Sequence, residues 1–208
     1  KPKKRLAPSD PIRPMPVMTS GIQFCCGSGV GGPAAKAQFN YIMCIALTHN
    51  GNKLYVADLK NRRIREIDLK SDKVRTIAGN GQRGVPKDGA KATEAPLVDP
   101  RAVCSDTAGN VYVLERGGHA LRVVRLDGRI YTVAGNGEKG NSDGRGSAAR
   151  FNGPKHICAD PAGNIYVADD VNHLIRKYEP ETGEVSTVLG RGKVKLSKPH
   201  GVTWDKGK

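Results

Sequence analysis

Apolar and polar residues alternate along this chain in short runs that are rich in Val, Ile, Leu and Tyr. Gly, Asn and Asp, which favour tight turns, separate these runs. Such alternation is typical of β-strands that bury one face, and no segment shows the longer period of a helix. Because four runs follow one another before each long Gly-rich loop, the pattern predicts four-stranded antiparallel sheets and an all-β protein.

The whole group of runs recurs along the chain. LYVAD begins at Leu54, VYVLE begins at Val111 and IYVAD begins at Ile165. PRAVCSD and PKHICAD precede the last two copies, while RTIAGNG, YTVAGNG and STVLGRG follow the three copies. A sheet that repeats at this spacing buries its faces by packing radially against its neighbours. The repeat therefore predicts a β-propeller.

The repeat also predicts the domain bounds. A propeller is expected over residues 18–208, with a partial blade at 199–208 and an outer strand of a preceding blade over 18–26. Residues 1–17 are expected to form a basic, Pro-rich N-terminal tail. Complete blades are expected at about residues 40–78, 100–134 and 154–189. The strands of the third unit are expected near residues 155–160, 164–169, 173–179 and 184–189.

Three complete blades are too few to close a ring, which ordinarily needs about four to eight. An open array would leave sheet faces and strand edges exposed. We therefore expect the chain to be part of a longer propeller. The alternative is a three-bladed protomer that closes its ring by forming a homodimer.

The 208 residues carry a formal net charge of +14. Residues 1–13 contribute +4 and residues 190–208 contribute +5, so most of the excess lies at the two ends of the chain. A nucleic-acid surface instead gathers Lys and Arg on one folded face. The charge therefore favours solubilising ends over an RNA-binding face. No apolar run is long enough to span a bilayer as a helix.

Five cysteines are present without the paired spacing of a zinc module. Cys44, Cys104 and Cys158 lie in apolar runs, where a thiol acts as a small core residue, whereas Cys25 and Cys26 are adjacent. Asp-Gly pairs in the long loops are more typical of turns than of calcium sites. The sequence therefore predicts no cofactor, with zinc and calcium as the less favoured alternatives.

An acidic residue and an Arg recur seven residues apart in every unit. The acid ends the second strand and the Arg lies on the third, so the two side chains can pair across the hairpin. We expect these pairs to stabilise the blades without taking part in chemistry. They are Asp58 with Arg65, Glu115 with Arg122, and Asp169 with Arg176.

The turns between second and third strands lie at the same end of each sheet as the long loops that join the blades. This end is called the loop face below. Long loops of a compact fold are commonly functional, so the loop face is the predicted binding surface. Its candidate binding residues are Lys60, Asn61, Arg116, His119, Asn172 and His173.

Three residues enter the first strand of a unit from the loop face and are expected at the rim of a central channel. They are Arg101, Lys155 and His200. Together they predict a basic ring suited to a carboxylate or phosphate group.

Each turn between second and third strands carries a related tripeptide. The three are Asn172-His173-Leu174, Asn61-Arg62-Arg63 and Gly118-His119-Ala120. With the flanking VAD and GNG segments, they resemble the NHL repeat over about residues 18–208, and most closely the long-looped bacterial NHL-repeat proteins. This resemblance implies a propeller of about six blades, of which the chain holds about half, and favours a secreted or periplasmic location.

The resemblance is specific for the fold and unspecific for function. We expect a non-enzymatic scaffold that binds a protein, a peptide or a small anionic ligand through its loop face. One alternative is a propeller lyase or hydrolase with a channel-bound metal, because the segment around His200 resembles the zinc-binding segments of the peptidyl-hydroxyglycine lyases. Arg101 and Lys155 occupy the matching positions in the other units, and neither is the neutral nitrogen ligand that zinc requires. The second alternative is an RNA-binding NHL propeller.

Overall fold

The computed structural model describes residues 32–205, which form three antiparallel sheets. The first contains β1 (Gly32–Pro33), β2 (Ile42–Leu47), β3 (Lys53–Asp58), β4 (Arg63–Asp68) and β5 (Lys73–Ala78). The second contains β6 (Ala90–Lys91), β7 (Pro100–Ser105), β8 (Val111–Glu115), β9 (Ala120–Val124) and β10 (Arg129–Ala134). The third contains β11 (Gly144–Arg145), β12 (His156–Ala159), β13 (Ile165–Asp169), β14 (Leu174–Glu179) and β15 (Glu184–Leu189). Short 3-10 turns lie at Ala34–Lys36, Gly146–Ala148 and Asp170–Asn172.

The predicted all-β class is confirmed, because each sheet is an antiparallel meander of four consecutive strands. The strands of the third sheet begin and end within one residue of the expected positions. Each sheet also has a fifth strand of two residues that the sequence pattern did not predict. The additional strands β1, β6 and β11 pair with the outer strands β5, β10 and β15. They protect part of an otherwise open outer edge.

The sheets pack against one another through their inner strands, because β7 contacts both β2 and β12. The core contains residues from all three sheets together with apolar side chains of the connecting loops. Leu97 and Phe151, which come from the two long loops, are fully buried. The loops therefore contribute to the core and hold the blades together.

Residues 199–205, where a first strand of a further unit was expected, form no regular strand. They contact the third blade instead. His156 Nδ1 lies 3.1 Å from the Val202 carbonyl oxygen. The Trp204 ring stacks on the Tyr166 ring with their centroids 5.7 Å apart. A strand needs a neighbour that forms a hydrogen-bonded ladder with it, and within residues 32–205 no strand pairs with this segment in that way.

Several predictions concern residues outside the described range. These are the N-terminal tail at 1–17, the strand at 18–26 with Cys25 and Cys26, and the last three residues of the partial blade. Within residues 32–205, no helix is long and apolar enough to cross a membrane.

Candidate functional site

The structure brings the predicted acid–Arg pairs together inside the blades. Arg122 Nε lies 2.7 Å from Glu115 Oε2, and both side chains are almost completely buried. Arg176 Nη1 lies 3.1 Å from Asp169 Oδ2, again with both side chains buried. In the strand ladder, Arg122 is opposite Val113, which lies two residues before Glu115. The Arg therefore reaches diagonally across the hairpin to the acid. This geometry suits a long guanidinium side chain.

In the first blade, Asp58 and Arg65 are both buried on neighbouring strands. Burial raises the pKa of Asp58, while the Arg65 guanidinium acts in the opposite direction. The Arg65 guanidinium also lies over the Phe39 ring, 5.9 Å from its centroid. The third blade repeats this arrangement, with Arg176 over Phe151 at 5.4 Å. The pairs therefore connect each sheet to the loop that leads into it.

The acids also accept backbone N–H groups from those loops. Asp58 Oδ1 accepts from Asn40 N at 2.7 Å, and Asp169 Oδ1 accepts from Asn152 N at 2.8 Å. Two predicted binding residues donate hydrogen bonds to these acids from their side-chain amides. Asn61 Nδ2 donates to Asp58 Oδ2 at 2.9 Å, and Asn172 Nδ2 donates to Asp169 Oδ2 at 2.8 Å. Both amides are thus engaged in structural hydrogen bonds.

The middle blade replaces this Asn with Gly118 and the Asp with the longer Glu115. A Cβ atom at Gly118 would lie 3.0 Å from Glu115 Oε2. The glutamate therefore occupies space that an Asn side chain uses in the other blades. The longer acid at Glu115 and the missing side chain at Gly118 therefore offset each other in volume.

The predicted binding residues His119 and His173 link consecutive units. His119 Nδ1 accepts a hydrogen bond from Gly153 N at 3.2 Å, and His173 Nδ1 accepts one from Lys198 N at 3.0 Å. Both donors immediately precede a proline that opens the next unit. The two histidines have φ values of 44° and 59°, in the left-handed region that tight turns use. Their imidazole rings are therefore inter-unit connectors.

A pH dependence of stability follows from the buried His119 ring. Burial, with the nearby charges of Lys139 and Arg116, lowers the pKa of His119. The unfolded chain therefore takes up this proton first, and stability falls as the pH drops below about 6.5. We expect His119→Gln to lose less stability than the wild type between about pH 7.5 and 5.5, measured by thermal melting.

The matched control for that experiment is His49→Gln, because the His49 side chain is exposed. This variant should keep the acid sensitivity of the wild type. An equal loss of stability in His119→Gln and the wild type would contradict the assignment of the acid response to His119.

Two of the predicted channel-rim residues meet at an acidic residue, Asp170, that is absent from the predicted site. Lys155 Nζ lies 3.2 Å from Asp170 Oδ2 and 2.6 Å from His200 Nε2. His200 Nδ1 lies 2.8 Å from the Lys198 carbonyl oxygen. The imidazole thus donates through Nδ1 and accepts from the lysine ammonium through Nε2. Asp170 Oδ1 is buried and accepts no hydrogen bond among the described residues, although His200 Nδ1 lies 3.4 Å from it.

Arg101 and Arg116 supply further positive charge to this region. Arg101 is half-buried, and its Nη1 contacts the weakly accepting Met43 Sδ at 3.5 Å. Burial and the nearby Arg116 guanidinium lower the pKa of Arg101, against the opposing charges of Asp99 and Asp170. Arg116 Nε is buried without a hydrogen-bond partner within residues 32–205. We call Arg101, Arg116, Lys155, Asp170 and His200 the channel mouth.

The expected basic ring therefore contains a buried carboxylate. Asp170 follows the acid that ends the second strand, and Leu59 and Arg116 occupy the equivalent positions in the other blades. The neighbouring positions repeat from blade to blade, whereas this one changes from apolar to basic to acidic. Such variation within a repeat is a signal that could have identified Asp170. The remaining candidate, Lys60, has its ammonium 5.2 Å from the centroid of the Tyr41 ring.

Below the mouth, the inner strands line an open cavity of about 330 Å³. Cys44, Cys104 and Cys158 lie along it, and Cys44 Sγ is 3.9 Å from His156 Nε2. Burial raises the pKa of these thiols, that of Cys158 to about 11. They are therefore protonated and weakly nucleophilic at neutral pH. Across residues 32–205, no group of three or more His, Cys, Asp and Glu side chains is arranged to hold a metal ion.

Sequence comparisons identify the repeat. The NHL repeat family model matches residues 151–178, which cover the buried Phe151 and most of the third blade. Human NHL repeat-containing protein 2 is 27% identical over 226 residues, an alignment that covers 85% of this chain and 31% of that protein. The Arabidopsis thaliana protein SUPPRESSOR OF QUENCHING 1, chloroplastic, is 34% identical over 164 residues, covering 76% of this chain and 16% of that protein. The chain thus spans less than a third of the length of these relatives.

A structural comparison finds a similar fold. A Bacteroides thetaiotaomicron protein of unknown function superimposes with a TM-score of 0.62 at 21% sequence identity. The match covers 80% of this chain and 42% of that protein, and at this identity it shows a shared fold alone. The tripeptides, the acid–Arg pairs and the antiparallel blades lead to the same conclusion. The chain carries an NHL repeat on a propeller-like all-β fold and is similar in sequence to NHL repeat-containing proteins.

Proposed function

We propose that the protein is a binding scaffold rather than an enzyme, and that its channel mouth binds an anionic group. The ligand is a carboxylate or phosphate carried by a protein, a peptide or a small molecule. The observation that carries this proposal is the proximity of Arg101 and Arg116, two half-buried cations without a strong anionic partner among the described residues. An anion between them would relieve their mutual repulsion.

The surrounding contacts support a site for a ligand rather than a closed ion-pair network. Lys155 uses two of its three N–H donors on Asp170 and His200, which leaves one donor. Asp170 Oδ1 is buried and accepts no hydrogen bond within residues 32–205, because the N–H of His200 Nδ1, 3.4 Å away, donates to the Lys198 carbonyl oxygen. A ligand that presents an anion to the arginines and an N–H or O–H group to Asp170 would satisfy both groups. By contrast, the histidines and asparagines of the repeat already have structural partners.

The proposal predicts weaker anion binding in Arg101→Ala. Acetate and inorganic phosphate are titrated into the protein and followed by NMR, and both are expected to bind the wild type with fast exchange. Because Arg101→Ala removes one charged donor, it should weaken the binding of whichever anion binds more tightly by about tenfold. Lys155→Ala should weaken it as well.

Arg83→Ala is the matched control, because Arg83 is an exposed arginine on the loop that precedes the second blade. It changes the net charge of the protein equally and should leave the affinity unchanged. Binding that is the same in the wild type, Arg101→Ala and Lys155→Ala would count against the proposed site.

A further inference from the structure

A second polar groove lies between the first and second blades, at the end of the sheets opposite the loop face. One wall is formed by β3, β4 and β5, and the other by β6, β8, β9 and the turn between β9 and β10. Its volume is about 390 Å³, within the range of sites for small organic molecules. No part of the channel mouth lines it.

The groove exists because one side chain is smaller than its counterpart in the next blade. Val124 lines the groove beside Tyr55, whereas the equivalent position of the third blade is Tyr178. Between the second and third blades, the Tyr178 ring packs against Tyr112 with their centroids 6.3 Å apart. A valine at this position removes an aromatic ring and leaves space between the first two blades.

The wall formed by the first blade carries an ion cluster in which the carboxylate is buried and the two cations reach the solvent. Glu66 is almost completely buried, with Arg75 Nε at 2.7 Å and Lys53 Nζ at 3.2 Å from its Oε1 atom. Although burial opposes the shift, Arg75 and Lys53 hold the pKa of Glu66 below its usual range. Two cations therefore share one carboxylate oxygen at the floor of the groove. Val123 replaces this glutamate in the second blade.

The opposite wall adds positive charge and an apolar surface. Lys91, Arg125 and Arg129 line it, so the groove holds five cationic side chains. The nearby carboxylates are Glu66, Asp127 and Glu94, of which Glu94 pairs with Lys91 at 2.7 Å. Ile77, Val111, Val124 and Leu126 provide apolar surface beside them. A ligand that fits both features carries a double negative charge on one end and a compact apolar group on the other.

We propose that this inter-blade groove binds a small organic phosphate ester. A phosphate monoester carries a charge of about −1.5 to −2 at neutral pH and presents three acceptor oxygens, which suits a cluster of Lys and Arg better than a single carboxylate does. The organic group lies against the valine side of the groove. The site is independent of the channel mouth, and the two are tested with different variants.

The test is a calorimetric titration of the protein with phenyl phosphate at about pH 8, where the ester is a dianion. Inorganic phosphate and phenol serve as the two halves of the probe. We expect phenyl phosphate to bind at least about tenfold more tightly than either half. Val124→Tyr, which copies the residue of the third blade, should abolish binding by filling the groove without changing its charge.

Charge variants make the test independent of any packing change. Arg129→Ala, at an exposed position, should weaken phenyl phosphate binding by about tenfold. Glu66→Gln should strengthen it by a similar factor, because Arg75 and Lys53 lose a competing carboxylate. Glu138→Gln removes an equal charge from an exposed loop residue and should have no effect. Failure of the wild type to bind, or equal affinities in Arg129→Ala, Glu66→Gln and the wild type, would overturn the proposal.

Discussion

Arg176→Ala is expected to lower the free energy of unfolding by about 3 to 5 kcal/mol, because it leaves a buried carboxylate without its cation. Besides Asp169, the Arg176 guanidinium binds Asp143 Oδ1 at 2.7 Å and the backbone carbonyls of Ser142 and Arg150. The side chain is fully buried over Phe151. One residue thus satisfies acceptors from the sheet and from the loop that leads into it.

Denaturant unfolding monitored by circular dichroism would measure this effect. The matched control is Arg191→Ala, because Arg191 Nη1 binds the same Asp143 at 2.8 Å but is about half exposed. Exposed ion pairs contribute about 0 to 1 kcal/mol, so the control should be close to the wild type. Similar losses in the two variants would show that burial does not determine the strength of this contact.

Gly135→Ala is expected to destabilise the protein by at least about 3 kcal/mol, because it combines an unfavourable backbone angle with a steric clash. Gly135 has a φ of +81°, and a Cβ atom there would lie 2.3 Å from the carbonyl oxygen of His119. The same contact recurs at Gly190, where a Cβ atom would lie 2.4 Å from the carbonyl oxygen of His173. Gly135 and Gly190 therefore each lie directly against the backbone of a histidine with a positive φ, His119 and His173.

Gly128→Ala separates the two contributions to this effect. Gly128 has a similar φ of +75°, but its Cβ atom would meet no atom within 4 Å. It should therefore lose only the backbone contribution, about 1 to 2 kcal/mol. Thermal and denaturant unfolding of both variants would test the difference, and equal losses would exclude the clash as the cause.

The repeat made the fold predictable because each strand has a counterpart at a fixed distance along the chain. The acid–Arg pairs were predictable for the same reason, since a hairpin places an acid at its end near an Arg on the next strand. The two-residue strands β6 and β11 were not predictable, because two residues have no measurable period. Their place in the sheet depends on how the long loop folds back.

The candidate site was less predictable than the fold. Arg101 and Lys155 were selected because they enter inner strands from the loop face, yet their neighbour Asp170 comes from a different part of the blade. Its burial depends on how adjacent units pack, which the local pattern does not record. His119 and His173 were selected for their chemistry, but their ring nitrogens bind backbone groups of the following unit.

These histidine contacts explain how one unit can follow another along the chain. Each ring accepts a backbone N–H, a group that every residue except proline supplies. The hydrogen bond therefore does not depend on the side chain of the donor residue. The donor is Gly153 at one junction and Lys198 at the other. Where the tripeptide carries a histidine, the following unit can therefore place any residue except proline at this position and keep the hydrogen bond.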